Sequence, residues 1–237
     1  MAKDGEIVLT GAAKRFGAHM ALHRTDLAIA RGQAVLLAGT NGAGKSTMLR
    51  MIAGLCQPSE GEVLIGGRSL LHTPAARATI GLLSHHTLLY DELTARENLH
   101  FFAQLYGLGN VQDRLDIALA GARLEQRQNH RVSSFSRGMK QRLALARATL
   151  HAPLILLLDE PFTGLDTSSS AALRRRLRQF RLGGGIIILV THRLDEADGL
   201  VDRLLLLERG HLRLDQALGG DLDELYAYCA PYLDAAQ

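Results

Sequence analysis

The stretch that decides the fold is AVLLAGTNGAGKST, residues 34–47. Its first five residues are apolar and a glycine-rich loop follows them, a pattern typical of a strand that is buried on both faces. After the loop, helical periodicity predicts a helix from about residue 46 to residue 54. Buried apolar strands that alternate with helices indicate a largely parallel sheet with helices on both faces.

The loop itself fits the pattern Gly-x4-Gly-Lys-Ser, which binds nucleotide phosphates when it lies between a strand and a helix. Glycines allow the backbone to turn its N–H groups towards phosphate oxygens, and the helix N-terminus adds partial positive charge. We predict that Lys45 bridges the β- and γ-phosphates and that the Ser46 hydroxyl ligates Mg²⁺. The predicted nucleotide-binding residues of this segment are Gly39, Thr40, Asn41, Gly42, Ala43, Gly44, Lys45, Ser46 and Thr47.

Two acids follow a second buried strand. Residues 154–158 are all apolar, and Asp159 and Glu160 come directly after them. Because the carboxyl ends of parallel strands meet at one edge of a sheet, we expect both carboxylates beside the phosphate loop. Asp159 is the predicted partner of Mg²⁺, directly or through water. Glu160 is the predicted general base for an attacking water, and an ordinary polar strand end is the alternative.

Charge and hydropathy exclude several classes of protein. The net charge of +3 is small for a nucleic-acid-binding protein, so no nucleic-acid partner is expected. Apolar runs such as residues 154–158 and 186–190 are far shorter than the roughly 20 residues of a membrane-spanning helix. We therefore expect a soluble chain, and a transport function would require another polypeptide that crosses the membrane.

The character of the chain changes in its middle third, where helical periodicity replaces strand patterns. This change predicts a nucleotide-binding core in two pieces, interrupted by a mostly helical subdomain. The predicted boundaries are 6–84 and 151–218 for the core, with an antiparallel β part at 6–30 and 60–70, then 85–150 for the helical subdomain and 219–237 for a short tail.

Residues 134–142, SFSRGMKQR, open a predicted helix before Asp159. They resemble the signature motif of ABC transporter ATP-binding subunits, whose usual form is Leu-Ser-Gly-Gly-Gln. Ser136 and Gly138 match this motif, whereas Met139 and two other positions depart from it. Ser136 is expected to cap the helix, and its hydroxyl with the free N–H groups can form a second anion site.

The resemblance implies how that second site is used. In the family, the signature motif binds the γ-phosphate of an ATP held by the opposite subunit, so Ser136, Gly138 and Met139 are predicted to contact ATP. It also implies a head-to-tail homodimer that sandwiches two ATP molecules with Mg²⁺. The implied fold is an α/β P-loop NTPase of the RecA-like type, with a parallel-sheet core, an antiparallel β edge and a helical ABC subdomain.

Three other segments follow the motif order of the family. Residues 163–166 resemble the D-loop that runs between the two ATP sites. His192, after the predicted strand 186–190, resembles the catalytic switch histidine that contacts the γ-phosphate; an ordinary loop histidine is the alternative. Phe16 resembles the aromatic residue whose ring stacks on adenine, and a core phenylalanine is the alternative.

One position departs from the family pattern. A glutamine usually lies where the core enters the helical subdomain, and there it contacts Mg²⁺ or the attacking water. This chain has His85 and His86 in that place. Spacing favours His85 as the equivalent and as a metal ligand, with His86 left open, because a neutral imidazole can ligate a metal or hydrogen-bond the water. A transition-metal or haem site is a less favoured alternative.

Residues 81–99, together with the signature, look specifically like the ATP-binding subunit of the haem exporter of cytochrome c biogenesis. That resemblance implies an ATPase bound peripherally to integral membrane permease subunits at the cytoplasmic face of the inner membrane. The main alternative is the ATPase of an exporter for drugs, antibiotics or lipids. A non-transport ABC ATPase that acts on DNA or the ribosome is a remote alternative, since the chain has one phosphate loop and no sustained heptads. The intact Lys45, Asp159 and Glu160 argue against a regulator that does not hydrolyse ATP.

Overall fold

The computed structural model describes residues 6–84, 86–219, 226–227 and 229. The predicted metal ligand His85 and most of the predicted tail, 219–237, therefore lie outside the described residues. The strands in chain order are β1 (Ile7–Phe16), β2 (His19–Ile29), β3 (Ala34–Ala38), β4 (Glu60–Ile65), β5 (Arg68–Ser69), β6 (Ile80–Leu83), β7 (Ile155–Asp159), β8 (Ile186–Val190), β9 (Arg203–Glu208) and β10 (His211–Ala217).

Helices occupy much of the remaining described chain. They are α1 (Lys45–Ile52), α2 (Ala95–Leu105), α3 (Val111–Ala122), α4 (Arg137–Thr149), α5 (Thr167–Leu182) and α6 (Leu194–Ala197), with short 3-10 turns at Pro74–Thr79, Glu125–Arg127 and Val132–Ser134. A capping box fixes the start of α2: Thr94 Oγ1 accepts from the backbone N–H of Glu97, and the Glu97 carboxylate accepts from that of Thr94.

The strands form two sheets. The larger has the order β10-β9-β3-β8-β7-β6, in which the five strands from β9 to β6 are parallel and β10 is an antiparallel edge. The smaller sheet is antiparallel, with the order β2-β1-β4-β5. The predicted α/β fold, a parallel core with an antiparallel β part, is confirmed.

The core lies on both faces of the larger sheet, and the alternation of side chains along β3 shows this directly. Val35 and Leu37 pack with α1 and the antiparallel sheet, whereas Leu36 packs in a second cluster with α5 and the segment around α6. All five residues of β3 are buried, because side chains of a central strand point alternately into two covered faces.

Helices α2, α3 and α4 have a third apolar cluster of their own, built on residues such as Leu99, Leu115 and Leu143. No strand of either sheet lies in the described residues between Leu83 and Ile155. This is the arrangement that a helical subdomain at 85–150 would have, and the domain boundaries themselves stay a prediction.

Several element boundaries differ from those predicted. Strands β1 and β2 are much longer than the predicted short strands at residues 7–9 and 27–29. Their pairing has register shifts, and Gly11 takes a positive φ there, so the apolar alternation breaks although the strands continue. Strand β10 was not predicted, because it is an edge strand whose residues are only partly buried.

Gly81 is the point where the edge strand β6 meets the helical segment. A Cβ at this position would overlap the carbonyl oxygen of Ala148, near the end of α4. The backbone of β6 and the last turn of α4 are therefore closer together than any side chain would permit, and α4 is anchored directly on the sheet.

We expect Gly81→Ala to lower the free energy of unfolding by about 1–3 kcal/mol, because α4 must shift away from β6 to admit the methyl group. Urea denaturation followed by circular dichroism measures the change. Gly109→Ala is the matched control, since nothing lies within 4 Å of a Cβ there, and it should change stability by less than about 0.5 kcal/mol. Equal unfolding midpoints for the two variants would contradict the close approach.

Candidate nucleotide-binding and hydrolysis site

The glycine-rich loop connects the carboxyl end of β3 to α1 and is enclosed by backbone from two other strands. A Cβ at Gly39 would overlap the carbonyl oxygen of Leu207 in β9, and a Cβ at Gly44 would lie 2.6 Å from the carbonyl oxygen of Ala21 in β2. Both glycines also take positive φ, 144° and 105°. Only glycine therefore fits at these two positions, and the loop is fixed in shape by its packing.

Lys45 is the first residue of α1, and its side chain folds over the loop. Its Nζ donates to the carbonyl oxygens of Gly39 and Thr40, at 2.6 and 2.9 Å. Burial lowers the pKa of the Lys45 ammonium, while the negative charges of Asp159 and Glu160 act in the opposite direction. The predicted lysine and the predicted acids thus lie within electrostatic reach of one another.

The other predicted loop residues lie in the same turn. Asn41, Gly42 and Ser46 are exposed, Thr40 and Thr47 are half-buried, and Ala43 is buried. The backbone N–H of Gly210, in the turn between β9 and β10, donates to the carbonyl oxygen of Ala43 at 3.0 Å. The exposed side of the loop is therefore open to a ligand, and its inner side is held by the sheet.

The acids lie at the neighbouring strand end. Asp159 is the last residue of β7 and pairs in register with Val190 of β8. Glu160 follows, with its backbone N–H donating to the carbonyl oxygen of Val190 at 2.9 Å. Parallel pairing therefore brings the acids beside the residues that follow β8, Thr191 and His192.

Glu160 is joined to His192 by two contacts. Its Oε1 accepts a 2.9 Å hydrogen bond from the backbone N–H of His192, and the His192 Nε2 lies 3.8 Å from the same oxygen. Burial raises the pKa of the Glu160 carboxyl, and its contacts with His192 lower it by less. The two residues predicted to be catalytic in this region are thus brought together by the structure.

The segment predicted to be the signature lies at the N-terminus of α4. The Ser136 hydroxyl accepts from the backbone N–H of Met139 at 3.3 Å, so the predicted N-cap is confirmed. Gly138 packs tightly, since its Cβ would lie 2.6 Å from the carbonyl oxygen of Gly164. Ser136 is exposed at the start of α4, and this part of the helix rests on the loop that follows Glu160.

Phe16 ends β1 and is 49% exposed, with the Lys14 Nζ 5.0 Å from its ring centroid. The alternative of a core phenylalanine is therefore wrong, and the stacking role stays a prediction. His86, the second candidate for the glutamine position, is exposed, and its carbonyl oxygen accepts from the Ser84 hydroxyl at 2.7 Å.

Comparison with known proteins decides the family. The family described as "ABC transporter" matches residues 22–163. The chain is 38% identical to the ABC transporter ATP-binding protein NatA of Bacillus subtilis, over 93% of this chain and 91% of NatA. It is also 38% identical to the Nod factor export ATP-binding protein I of Rhizobium johnstonii, over 93% of this chain and 74% of that protein.

The chain belongs to the ABC transporter family. Among solved structures, the ATP-binding subunit of an ABC transporter matches with a TM-score of 0.85 and 33% identity, over 94% of this chain and 99% of that one. A dimeric ATP-binding cassette in a post-hydrolysis state, bound to ADP and inorganic phosphate, matches with a TM-score of 0.82 and 29% identity, over 91% of this chain and all of that one. The chain is an ATPase of the ABC type.

Two polar residues of this ABC ATPase site were not predicted. Gln141 of α4 donates through its side-chain amide to the carbonyl oxygens of Glu160 and Pro161. The buried Glu196 accepts from the Thr191 hydroxyl at 2.8 Å and pairs with Arg193. Gln141 lies in the segment 134–142 that resembles the signature, but neither its contact nor that of Glu196 was predicted, because both contacts exist only in the folded chain.

The described residues of this ABC ATPase contain neither a membrane-spanning helix nor a metal-binding cluster. No helix there is long and apolar enough to cross a membrane. Within the same residues, no group of three or more histidine, cysteine, aspartate or glutamate side chains converges as a metal site.

The raised pKa of Glu160 predicts a pH-dependent stability. Its ionisation opposes folding, so the penalty is absent below the pKa of the unfolded chain and is complete above the pKa of the folded one. Glu160→Gln removes the penalty. We therefore expect this variant's gain in free energy of unfolding, relative to the wild type, to be larger at about pH 7 than at about pH 4.

Urea denaturation at both pH values measures that difference. Glu62→Gln, which replaces an exposed carboxylate of β4, is the control and should show no such gain. A gain for Glu160→Gln that is the same at both pH values would show that burial does not oppose its ionisation.

Proposed function

We propose that this chain hydrolyses MgATP as a head-to-tail homodimer and thereby drives a separate membrane permease in export. The observation that carries the proposal is the convergence of three strand ends. Lys45 begins α1 after the loop that follows β3. Asp159 ends β7 with Glu160 directly after it, and His192 follows β8, all at the carboxyl edge of one parallel sheet. This edge is where α/β proteins of this type bind nucleotides.

ATP would bind across the exposed side of the loop 39–47. The Lys45 ammonium is already held over that loop by two carbonyl oxygens, so it is in place for the β- and γ-phosphates. The N–H groups of the loop and the N-terminus of α1 would hold the remaining phosphate oxygens. We assign the adenine to Phe16, whose ring is half exposed beside the cation of Lys14.

Mg²⁺ fits the donor set at this site. The Ser46 hydroxyl is exposed at the start of α1, and the Asp159 carboxylate is close enough to Lys45 to oppose the fall in its pKa. A hydroxyl, one carboxylate and phosphate oxygens are the ligands that Mg²⁺ takes at nucleotide sites. When bound, the ion would neutralise charge on the β- and γ-phosphates. His85 stays a proposed further ligand from the sequence.

Glu160 is the proposed general base. Burial raises its pKa, which makes the carboxylate a stronger proton acceptor at neutral pH than an exposed glutamate. The backbone N–H of His192 fixes one of its oxygens at 2.9 Å. His192 is exposed beside it and would contact the γ-phosphate, so that it and Lys45 would stabilise charge as the phosphoryl group leaves.

A second copy of the chain would complete each site. The Ser136 hydroxyl is exposed at the N-terminus of α4, and Gly138 and Met139 follow in its first turn. Hydroxyl and backbone N–H groups of this kind suit a γ-phosphate presented from outside. The dimeric state of the similar cassette with ADP and phosphate supports this arrangement.

The permease would contact the helical segment, 85–150, where several apolar side chains are exposed. Tyr90 is 50% exposed and its ring packs against Phe101 at 5.1 Å between centroids, while Leu88 and Leu105 are 49% and 65% exposed. The buried Asn98 holds Tyr90 through both its backbone N–H and its carbonyl oxygen. Exposed apolar side chains of this kind suit a protein partner, here the cytoplasmic part of the permease.

For the cargo we propose haem, in an exporter that serves cytochrome c biogenesis at the inner membrane. The resemblance of residues 81–99 and of the signature to that subfamily supports this choice. Export of drugs, antibiotics or lipids is the second candidate. Relatives that are 35–38% identical to this chain are named Nod factor export ATP-binding proteins.

Glu160→Gln should slow ATP hydrolysis by about 10²- to 10⁴-fold, because the amide cannot accept the proton of the attacking water. ATP binding and ATP-dependent dimerisation should be preserved, since the amide keeps the size of the carboxyl. Phosphate release and size-exclusion chromatography with and without ATP measure the two properties. Glu62→Gln is the control and should hydrolyse ATP normally. Unchanged hydrolysis in Glu160→Gln would refute the role of Glu160.

Identification of the membrane permease tests the proposed cargo. Affinity purification of the Glu160→Gln variant from detergent-solubilised membranes with ATP should recover the permease, which mass spectrometry identifies. Haem added to the reconstituted wild-type complex should raise its ATPase rate. A drug-type or lipid-type permease that haem does not stimulate would overturn the haem assignment and leave the ATPase assignment intact.

A further inference from the structure

We propose that Gln141 is a positioning residue that fixes the backbone of Glu160 from the signature helix. The proposal rests on the assignment of Glu160 as the general base. Gln141 lies in α4, five positions after the cap Ser136, and its side chain reaches across to the end of β7.

The contact is bidentate. The Nε2 of Gln141 lies 3.1 Å from the carbonyl oxygen of Glu160 and 2.9 Å from that of Pro161. A primary amide nitrogen has two hydrogens, so it can donate one to each oxygen. Two successive peptide groups are therefore oriented by one side chain, which is a stronger geometric constraint than a single hydrogen bond.

The two hydrogen bonds hold a residue whose backbone conformation is uncommon. Glu160 has φ of +52°, a left-handed conformation that residues with a Cβ adopt uncommonly. Such a conformation persists when surrounding groups hold it. The N–H of Glu160 is held by Val190, and its carbonyl oxygen accepts from both Thr163 N–H and Gln141. Because this backbone angle sets the direction of the Glu160 side chain, Gln141 acts on the carboxylate without touching it.

The whole first part of α4 is fitted to the same loop. Gly138 and Gln141 are three positions apart and so share a helix face. A Cβ at Gly138 would lie 2.6 Å from the carbonyl oxygen of Gly164. Further along the helix, Ala144 lies in one apolar cluster with Phe162. The helix that carries Ser136 and the segment that begins with Glu160 are thus packed as one unit.

The chemistry of the side chain explains why a glutamine is needed. Glutamate has the same shape but, when ionised, has no hydrogen to donate, and it would face two carbonyl oxygens. Leucine fills similar space and donates nothing. Lysine is longer, but its ammonium can donate to both oxygens. If Gln141 had only a structural role, the effect of each substitution would depend on the size of the new side chain. If Gln141 positions Glu160, the effect depends on whether the new side chain can donate hydrogen bonds.

The test compares Gln141→Glu, Gln141→Leu and Gln141→Lys with the wild type. A misplaced catalytic group can cost up to about 10²-fold in rate, so we expect kcat for ATP hydrolysis to fall about 10- to 100-fold in the Glu and Leu variants. Gln141→Lys should retain most of kcat. The KM for ATP should stay within about twofold, because the phosphate loop is unchanged. Gln104→Glu, the same change at an exposed helical glutamine, is the control and should keep the wild-type kcat.

ATP-dependent dimerisation separates positioning of Glu160 from damage to the signature. Gln141→Glu should form ATP-dependent dimers, as expected for Glu160→Gln, whereas Ser136→Ala should not. Loss of dimerisation in Gln141→Glu, equal loss of kcat in all three variants, or a wild-type kcat in Gln141→Glu would each overturn the proposal. If Glu160→Gln itself does not dimerise with ATP, the proposed dimer fails instead. The kcat order of the Gln141 variants then decides this proposal on its own.

Discussion

The parallel pairing of β7 with β8 is the constraint on which the rest of the site depends. Asp159 pairs in register with Val190, and the backbone N–H of Glu160 continues that pairing. A shift by one residue would turn Glu160 to the opposite face of the sheet and separate it from His192. The buried apolar residues of both strands oppose such a shift, since each side chain would have to repack in the apolar cluster on the other face of the sheet. The hydrophobic core therefore sets the distance between the proposed base and the histidine.

The phosphate loop depends on the same sheet in a different way. Its shape comes from contact with backbone, at Leu207 of β9 and at Ala21 of β2, and not from side chains within the loop. Gly39 and Gly44 permit those contacts because they lack a Cβ. A loop that is already packed against the backbone of two strands needs little rearrangement when phosphate binds, so less binding energy is lost in ordering it. The antiparallel sheet, which supplies Ala21, thus supports the proposed nucleotide site and also covers the core.

Local patterns made much of this predictable. The loop at residues 39–47, the acids after β7 and the cap Ser136 all have short-range signals, since a strand, a turn and a helix start are each encoded within a few residues. The full length of β1 and β2 was not predictable because bulges interrupt their alternation. The contact of Gln141 could not be predicted either. The residue lies in the quoted segment 134–142, but its partners depend on where α4 meets the end of β7.

Burial shifts the pKa values of the two charged groups of the site in opposite directions. It lowers the pKa of Lys45 and raises that of Glu160, so each charged form is less stable than it would be in water. The negative charges of Asp159 and Glu160 oppose the fall at Lys45. Contacts with His192 oppose the rise at Glu160, and the nearby Glu196 adds to that rise. The Lys45 ammonium also retains hydrogen bonds to two loop carbonyls. A γ-phosphate bound by Lys45 would bring further negative charge towards Glu160, whose pKa the nearby charges of Glu196 and Asp159 already raise. The carboxylate would then become a stronger base at the moment when the attacking water must be polarised.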